Sequence, residues 1–431
     1  MPPSDSVNWM RQASRFVHAH RQKTFVVYLG GEVLRSDGID ECVEDLVLLA
    51  GLGIKLVLVH GARPQIDSAC REAGVDSNFV NDLRITNADV FDEVKSAVVA
   101  TRIDLEAKLA RAALDTVDRK ATITIVGGTF VTARPKGIVA GQDTGLAGEI
   151  RRVDAVAINH ALNHGSIVLL SPLAYSASGE AFNMNALEMA TAVAGEIHAN
   201  KLVMYAEQDL RTAADNEAIR QLTLQEAREL QVENASMGRF VACAVRACQQ
   251  GVSRAHIIDR HIRGALMEEL FTRDGCGTLI SDAPFDRVRG ATIDDIGGIL
   301  ALIEPLEAAG VLVKRSREKL EMEIDHFEVM VREGTVVACG ALHAFADGQA
   351  AEVACIAVHP DYRTRDFGRT MVNSLEARAR QLGVASIFVL TTDAVEWFEE
   401  QGYQRQSIES LPVERQQLYN YQRNSVVLSK A

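Results

Sequence analysis

The chain lacks a C-x-x-C cysteine pair, a long basic run, and an apolar stretch long enough to cross a membrane. Its seven cysteines are odd in number and scattered, which argues against a disulfide framework or a zinc site and favours reduced cytoplasmic thiols. The longest apolar region, residues 46–59, is interrupted by Gly51, Gly53 and Lys55. The first residues show no apolar signal core. We therefore expect a cytoplasmic protein with no secretion signal and no membrane span.

An excess of positive charge is also missing. The chain carries 45 Lys and Arg against 58 Asp and Glu, a formal net charge of −13, which argues against a general nucleic-acid binder. His160 and His164 are four residues apart without the Glu of H-E-x-x-H, so no metal site is predicted. With 431 residues and 47% hydrophobic residues, the chain is long enough for two or three domains with real cores.

The N-terminal part alternates apolar strands with helical stretches. The predicted strands are residues 24–29, 55–59, 123–126, 166–170, 202–205 and 255–258. Near-continuous apolar strands separated by helices predict an α/β domain with a mainly parallel sheet covered on both faces. Glycines directly after the first two strands place open backbone at the carboxyl edge, where such folds bind ligands.

Four motifs in this part resemble the amino-acid kinase family, and acetylglutamate kinase in particular. They are YLGG (28–31), HGARPQID (60–67), LRIT (83–86) and FNMNALEMA (182–190). The family has Lys at the position of Tyr28, glycines at Ala62 and Arg63, and Asp at Leu187. Phosphoryl transfer depends on charge neutralisation and positioning. The resemblance and its departures together imply a kinase fold without kinase chemistry.

The end of this domain, residues 254–280, resembles the arginine-sensitive members of the same family. That resemblance implies an arginine effector pocket formed by Lys201, His256, Glu269 and the backbone at Gly275; a solvated helix face followed by a glycine turn is the alternative. Residues 7–20 predict an amphipathic helix, docked either on its own domain or between subunits. In those relatives this helix interlaces dimers, which implies a homo-oligomer, a hexamer by analogy.

A short proline-containing connection at residues 282–286 predicts the domain boundary, with one domain over 1–283 and a second, α+β domain over 287–431. In the second domain an apolar strand over 353–358 is ended by Pro360. A basic loop follows, and then a helix that begins near Arg369 and is capped by Gly383. A strand, a loop rich in Arg and Gly, and a helix N-terminus form the geometry that holds a phosphate.

The loop at residues 363–368 reads R-x-x-D-x-G and resembles the acyl-CoA loop of the GNAT N-acetyltransferases, with Asp366 where Gly is usual. An ordinary strand-turn-helix is the alternative. The GNAT sheet splays at this point, which implies free backbone amides for the pantetheine arm. The expected acetyl-CoA-binding residues are Cys355, Ile356, Ala357, Val358, Arg363, Arg365, Phe367, Gly368 and Arg369.

Acetyl transfer to an amine needs a base for the amine and a proton for the departing thiolate. Glu352, which opens the central strand at the mouth of an apolar site, is the predicted general base; a strand-edge Glu in solvent is the alternative. Thr391, at the end of the neighbouring strand, is favoured by the resemblance as general acid, with Thr392 and Tyr403 as other candidates.

Cations at two places indicate an anionic acceptor. Lys314 and Arg315 lie early in the domain, and Arg423 with Ser425 lies in the tail. Arginines converging on the cleft would hold a dicarboxylate by charge-assisted hydrogen bonds; a solvated surface is the alternative for the first cluster.

As a whole the chain resembles the bacterial N-acetylglutamate synthases. The most specific segments are residues 311–324, 352–363, 388–392 and 418–425. The resemblance implies acetyl transfer from acetyl-CoA to L-glutamate without a metal, in arginine biosynthesis, with feedback inhibition by arginine. A bifunctional kinase-acetyltransferase and an arginine sensor with an inactive GNAT domain remain the alternatives.

Overall fold

The computed structural model describes residues 13–14, 16–116, 123–212, 216–232, 234–272, 274–282, 288–332, 335–345, 349–362, 367–420 and 425–430. The chain divides into two compact units, Met1–Ala283 and Pro284–Ala431.

The first unit is built on an eight-stranded sheet in the order β14-β16-β15-β13-β1-β2-β10-β5. Its pairs are parallel except β15 with β16. The strands of the first unit are β1 Thr24–Leu29, β2 Lys55–His60, β3 Phe79–Val80, β4 Leu83–Arg84, β5 Ile125–Val126, β6 Val131–Pro135, β7 Ile138–Val139, β8 Gln142–Asp143, β9 Gly148–Val153, β10 Ile167–Leu170, β11 Leu173–Tyr175, β12 Ala181–Asn183, β13 Lys201–Ala206, β14 Gln221–Thr223, β15 Arg254–Asp259 and β16 Thr278–Ser281.

Helices cover both faces of this sheet. They are α1 (residues 16–20), α2 Ile39–Gly51, α3 Arg63–Ala73, α4 Ala88–Thr116, α5 Ala155–Asn163, α6 Ala186–Glu196, α7 Leu224–Glu229, α8 Ala235–Gln249 and α9 Ala265–Phe271. Along β1, Phe25, Val27 and Leu29 pack into one core and Val26 into the other. The sheet is therefore buried on both sides, which confirms the prediction of a two-faced α/β domain.

The leading helix lies partly outside the described residues, since 1–12 and 15 are not among them. Its described end docks on its own unit. The buried His20 ring hydrogen-bonds through Nε2 to the carbonyl oxygen of Leu270 at 2.9 Å and meets Phe25 and Phe271 edge-on. Of the two predicted alternatives, docking on its own domain therefore describes this part of the helix.

The second unit contains a seven-stranded sheet in the order β17-β18-β19-β20-β21-β23-β22. Its strands are β17 Val288–Gly290, β18 Phe327–Arg332, β19 Thr335–Ala344, β20 Ala350–Val358, β21 Ser386–Thr391, β22 Gln404–Gln406 and β23 Val426–Lys430. Its helices are α10 Ile296–Ala308, α11 Arg317–Met322, α12 Phe367–Gln381, α13 Val395–Glu400 and α14 Val413–Gln417. All strand pairs are antiparallel except β20 with β21, which confirms the predicted α+β arrangement around a single crossover.

Strand β20 is irregular at its centre. Its pairing with β19 shifts near Gly340, and Cys355 adopts a φ of +56°, so two residues oppose one in a β-bulge. Before the bulge Val353 packs on the α12 side of the sheet, and after it Cys355 and Ala357 pack on the α10 side. The bulge therefore exchanges the two faces of the strand.

Several predicted boundaries differ from the structure. Glu352 is the third residue of β20 and does not open it. The tail, for which no strand was predicted, contributes β23, which pairs with β21 and β22. Within the described residues, no helix is both long enough and apolar enough to cross a membrane.

Candidate active site and effector site

A cleft of about 910 Å³ opens in the second unit beside β20 and β21, within the size range of small-molecule sites. Its lining includes Val313, Arg315, Glu323, His343, Glu352, Cys355, Ile356, Val358, Gly368, Arg369, Thr391, Trp397, Arg415, Leu418 and Ser425. Cations, carboxylates and apolar side chains therefore meet in one place.

The cleft exists because two parallel strands separate. β20 pairs with β21 only from Ala350 to Glu352, whereas its pairing with β19 continues to Val358. Among the described residues no strand pairs with the β21-facing edge of β20 beyond Glu352. Backbone amides along this edge are available to an extended ligand. The predicted splay is present.

Helix α12 begins at Phe367 beside this edge, and its first turn lines the cleft through Gly368 and Arg369. A Cβ at Gly368 would lie 3.2 Å from the Trp397 ring, so the turn approaches that side chain closely. Arg369 donates from Nε to Gln401 Oε1 at 3.0 Å. The helix N-terminus presents amides where an anion binds favourably.

The predicted base is not in apolar surroundings, which corrects the sequence interpretation. Glu352 accepts two hydrogen bonds from Arg415, with Nε–Oε2 at 2.6 Å and Nη2–Oε1 at 3.0 Å. Both side chains are largely buried, at 13% and 21% exposure. A bidentate guanidinium fixes the orientation of the carboxylate.

Of the predicted substrate-binding cations that the structure describes, Arg315 reaches the cleft and Lys314 does not. Its Nη1 donates to Cys355 Sγ at 3.0 Å, while its Nε is buried without a hydrogen-bond partner among the described residues. A buried unpaired donor is costly unless a ligand satisfies it. Burial raises the pKa of the Cys355 thiol, so the sulfur is a neutral neighbour for this guanidinium.

Thr391 ends β21 in the cleft, and its Oγ1 accepts from the amide of Ala394 at 3.0 Å. No acceptor among the described residues takes its hydroxyl hydrogen, so this hydrogen is available for donation. Tyr403, the alternative acid, instead lies in the core against Phe398. Burial, followed by the charge of Glu376, raises the pKa of Tyr403 well above its usual range.

The other predicted residues divide between cleft, core and surface. Lys314 is exposed and does not line the cleft. Phe367 is buried and stacks on Tyr362 with ring centroids 5.5 Å apart, and Ala357 is buried in the α10 core. These two side chains do not line the cleft. Arg363, Arg365 and Arg423 lie outside the described residues.

The first unit has a second cleft at the carboxyl ends of β1 and β2, of about 190 Å³, which is small for a nucleotide site. Tyr28 and Leu187 line it beside Gly31 and Arg63. Burial, and after it the charge of Glu32, raises the pKa of the Tyr28 phenol well above its usual range. An uncharged ring, in edge contact with Phe240, therefore stands where the kinases have a cation.

The four residues of the expected effector pocket lie together. His256 Nδ1 is 2.6 Å from Glu269 Oε1, and its Nε2 is 3.4 Å from Lys201 Nζ. Glu269 Oε2 accepts from the amides of Cys276 and Gly277 at 2.9 and 2.7 Å. Gly275 makes the turn at a φ of +63°. All three charged or titratable side chains are buried.

Burial and mutual contact perturb these groups. Burial, and then Arg254, lowers the pKa of Lys201 to about 7. Burial, and then Lys201, lowers the pKa of His256 to about 4. Burial acts to raise the pKa of Glu269, but the bonds from His256 and the two amides outweigh it and lower that pKa to about 2. A neutral His256 thus donates to an ionised Glu269 and accepts from Lys201.

No group of three or more His, Cys, Asp or Glu side chains in the described part of the chain could hold a metal ion.

Comparison with known proteins covers both units. Residues 23–259 match the amino acid kinase family and residues 302–403 match the acetyltransferase (GNAT) family. The chain is 45% identical over 428 residues to an amino-acid acetyltransferase of Pseudomonas putida, covering 99% of each.

Two solved structures are similar along the full length. One is N-acetylglutamate synthase from Neisseria gonorrhoeae complexed with coenzyme A and L-arginine, 33% identical with a TM-score of 0.89. The other is the same protein complexed with coenzyme A and N-acetyl-glutamate, 34% identical with a TM-score of 0.64. Each covers 99% of both chains.

Proposed function

The chain belongs to the amino-acid acetyltransferase family, and from this we infer that it transfers the acetyl group of acetyl-CoA to the α-amino group of L-glutamate. The products are N-acetylglutamate and coenzyme A. The observation that carries this conclusion is the separation of β20 from β21 beside the α12 N-terminus. It supplies backbone donors for an acyl-pantetheine arm and a positive helix end for its phosphates.

We propose that the acceptor is held by Arg315 and Arg415, with Ser425 and the tail residue Arg423 completing the site. The buried Nε of Arg315 without a protein partner supports this, because a substrate carboxylate would satisfy it. Arg415 is a residue that the sequence interpretation missed. A second substrate carboxylate competes with Glu352 for its guanidinium.

This competition gives the site an order of events. In the structure Arg415 neutralises Glu352 through a bidentate ion pair. When a substrate carboxylate takes over the guanidinium, Glu352 is free to accept a proton from the substrate ammonium as general base. The amine attacks the thioester carbon, polarised by β20 amides, and as the C–S bond breaks the Thr391 hydroxyl gives its proton to the departing thiolate and takes the second proton of the nitrogen.

We also propose that the first unit is a regulatory domain without kinase activity, with arginine as its inhibitory effector at Lys201, His256, Glu269 and Gly275. The neutral Tyr28 supports the absence of phosphoryl transfer. The buried carboxylate of Glu269 supports a guanidinium ligand, for which arginine must displace the present contact with His256.

We further propose a cytoplasmic homo-oligomer, a hexamer by analogy with relatives. Exposed apolar side chains on the long helix α4, namely Val99, Ile103 and Leu114, support contacts between subunits. Light scattering coupled to gel filtration tests the assembly, and a monomer would contradict it.

One assay tests the whole proposal. Thiol release is followed with acetyl-CoA and L-glutamate, then with L-arginine added, and ADP formation is followed in parallel with ATP and N-acetylglutamate. We expect glutamate-dependent thiol release that arginine inhibits, and no ADP. ADP formation would show a bifunctional enzyme, and no thiol release would show a sensor with an inactive acetyltransferase unit.

A further inference from the structure

Acetylation of an amino acid produces one proton per turnover. The acceptor enters mainly as R–NH3+, because α-amino groups have pKa values near or above neutral. The N–C bond forms, the C–S bond of the thioester breaks, and the nitrogen loses two protons. One of them ends on the coenzyme sulfur. The other must leave the base for bulk water while two substrates fill the cleft.

A histidine lies directly beside the proposed base. His343 on β19 is the register partner of Glu352 on β20, and both side chains line the cleft. Directly opposed residues of an antiparallel pair have Cβ atoms about 4.5–5.5 Å apart. The imidazole of His343 is therefore within reach of the carboxylate, directly or through one water.

This histidine is in turn joined to solvent by a second one. His343 Nδ1 lies 2.9 Å from Nδ1 of His326, with the rings perpendicular and their centroids 4.9 Å apart. His326 is exposed. Its turn is held by Arg378, which donates to the carbonyl oxygens of Asp325 and His326 at 2.6 and 3.4 Å. One Nδ1 donates and the other accepts, so the pair shares a single proton along this line.

Burial and the charges around His343 favour its neutral imidazole. Burial, and then His326, lowers its pKa; Glu323 and Glu352 act to raise it, and Arg315 to lower it. His326 lies on the turn before β18 and Glu323 at the end of α11. Glu352 lies on strand β20, and Arg315 lies in the loop before α11. A neutral imidazole between a carboxylate and solvent is a suitable proton carrier.

We propose that His343 and His326 form a proton relay that carries the proton from Glu352 to bulk water in each turnover. This proposal rests on Glu352 being the base. The pair acts through Glu352 and does not touch the reacting atoms.

Chemical rescue by buffer tests the relay, because a small base in solution can replace a missing proton carrier. Turnover and both KM values are measured for wild type, His343→Ala and His326→Ala at low buffer concentration and with increasing imidazole. We expect wild type to be independent of buffer. His343→Ala should lose roughly tenfold or more in kcat at low buffer, and imidazole should restore it with KM nearly unchanged. His326→Ala should show the same rescue with a smaller loss.

The adjacent pair His160 and His164 in the first unit, with ring centroids 4.3 Å apart, provides the matched control. His164→Ala should be independent of buffer. His343→Gln retains a polar side chain of similar reach and tests whether the loss comes from a folding defect. It should show the same loss of kcat at low buffer concentration and an unchanged melting temperature.

The outcomes separate the relay from the base. If Glu352→Gln is inactive while His343→Ala and His343→Gln turn over normally at low buffer, the relay is refuted and the base stands. Loss in both His343 variants without imidazole rescue also refutes the relay. If Glu352→Gln turns over normally, the base assignment fails, and the relay fails with it.

Discussion

Replacing Gly275 with alanine tests the proposed effector site through its most constrained position. Gly275 has a φ of +63°, and an added Cβ would overlap Oε2 of Glu269. The left-handed conformation costs an alanine about 1–2 kcal/mol. Displacement of the carboxylate also removes the acceptor of the Cys276 and Gly277 amides, and each buried donor left without a partner costs about 1–3 kcal/mol. The free energy of unfolding should therefore fall by at least about 3 kcal/mol.

Gly74→Ala is the matched control, because Gly74 has a φ of +69° and an added Cβ there would meet nothing within 4 Å. Its free energy of unfolding should fall only by the cost of the left-handed conformation, about 1–2 kcal/mol. Urea unfolding followed by circular dichroism measures both variants, and the dependence of turnover on arginine concentration is measured in parallel. Gly275→Ala should also raise the arginine concentration required for half-inhibition by about tenfold or more, as expected for one lost charged contact, and Gly74→Ala should leave it unchanged.

Equal destabilisation by the two alanine variants would refute the reasoning, because it would mean that the Glu269 carboxylate moves aside freely. A normal arginine response in Gly275→Ala would remove this turn from the effector site.

Three further predictions concern the catalytic cleft and the first unit. Glu352→Gln should lower kcat by about 100-fold or more with an unchanged KM for acetyl-CoA; near-normal turnover in steady-state kinetics would exclude Glu352 as the base. Arg315→Gln should raise the KM for glutamate by about tenfold or more, and an effect on the acetyl-CoA KM instead would place Arg315 on the coenzyme. Burial, and after it Lys201, lowers the pKa of His20 to about 3, so the unfolded chain binds more protons between about pH 3 and 6.5 and stability falls as the pH falls through that window. In thermal unfolding at several pH values His20→Gln should flatten this dependence, and a slope as steep as that of wild type would contradict the assignment.

The architecture follows from the sequence where the signal is local. Buried runs such as β1 and β13 are apolar on both faces, and the continuous apolar run locates each of them within one or two residues. The crossover of β20, α12 and β21 is recognisable for the same reason. Strand β23 was missed because the segment that leads into it is polar and aromatic. No alternation of apolar and polar residues is evident there.

The catalytic site was predicted less completely because it depends on contacts between residues that are far apart in the sequence. Arg415 is 63 residues from Glu352, and no local pattern links a short helix near the tail to a central strand. Asp295 shows the same limit. It is only 8% exposed, accepts two hydrogen bonds from Arg289 at 2.7 and 2.9 Å, and caps the turn at Thr292, and no local pattern predicts this burial. Phe367 was expected to bind the coenzyme, but its side chain is buried against Tyr362, because the motif does not specify which way the first side chain of α12 points.

The extra residue at Cys355 has a consequence for how strand β20 can change. If the ladder with β19 became regular while this residue was kept, every residue after Cys355 would shift by one position, and Ile356 and Val358 would be transferred from the cleft side to the opposite layer. Homologues and engineered variants can therefore exchange side chains along this strand more readily than they can lose the bulge. For this segment, keeping the bulge is a stricter constraint than residue identity.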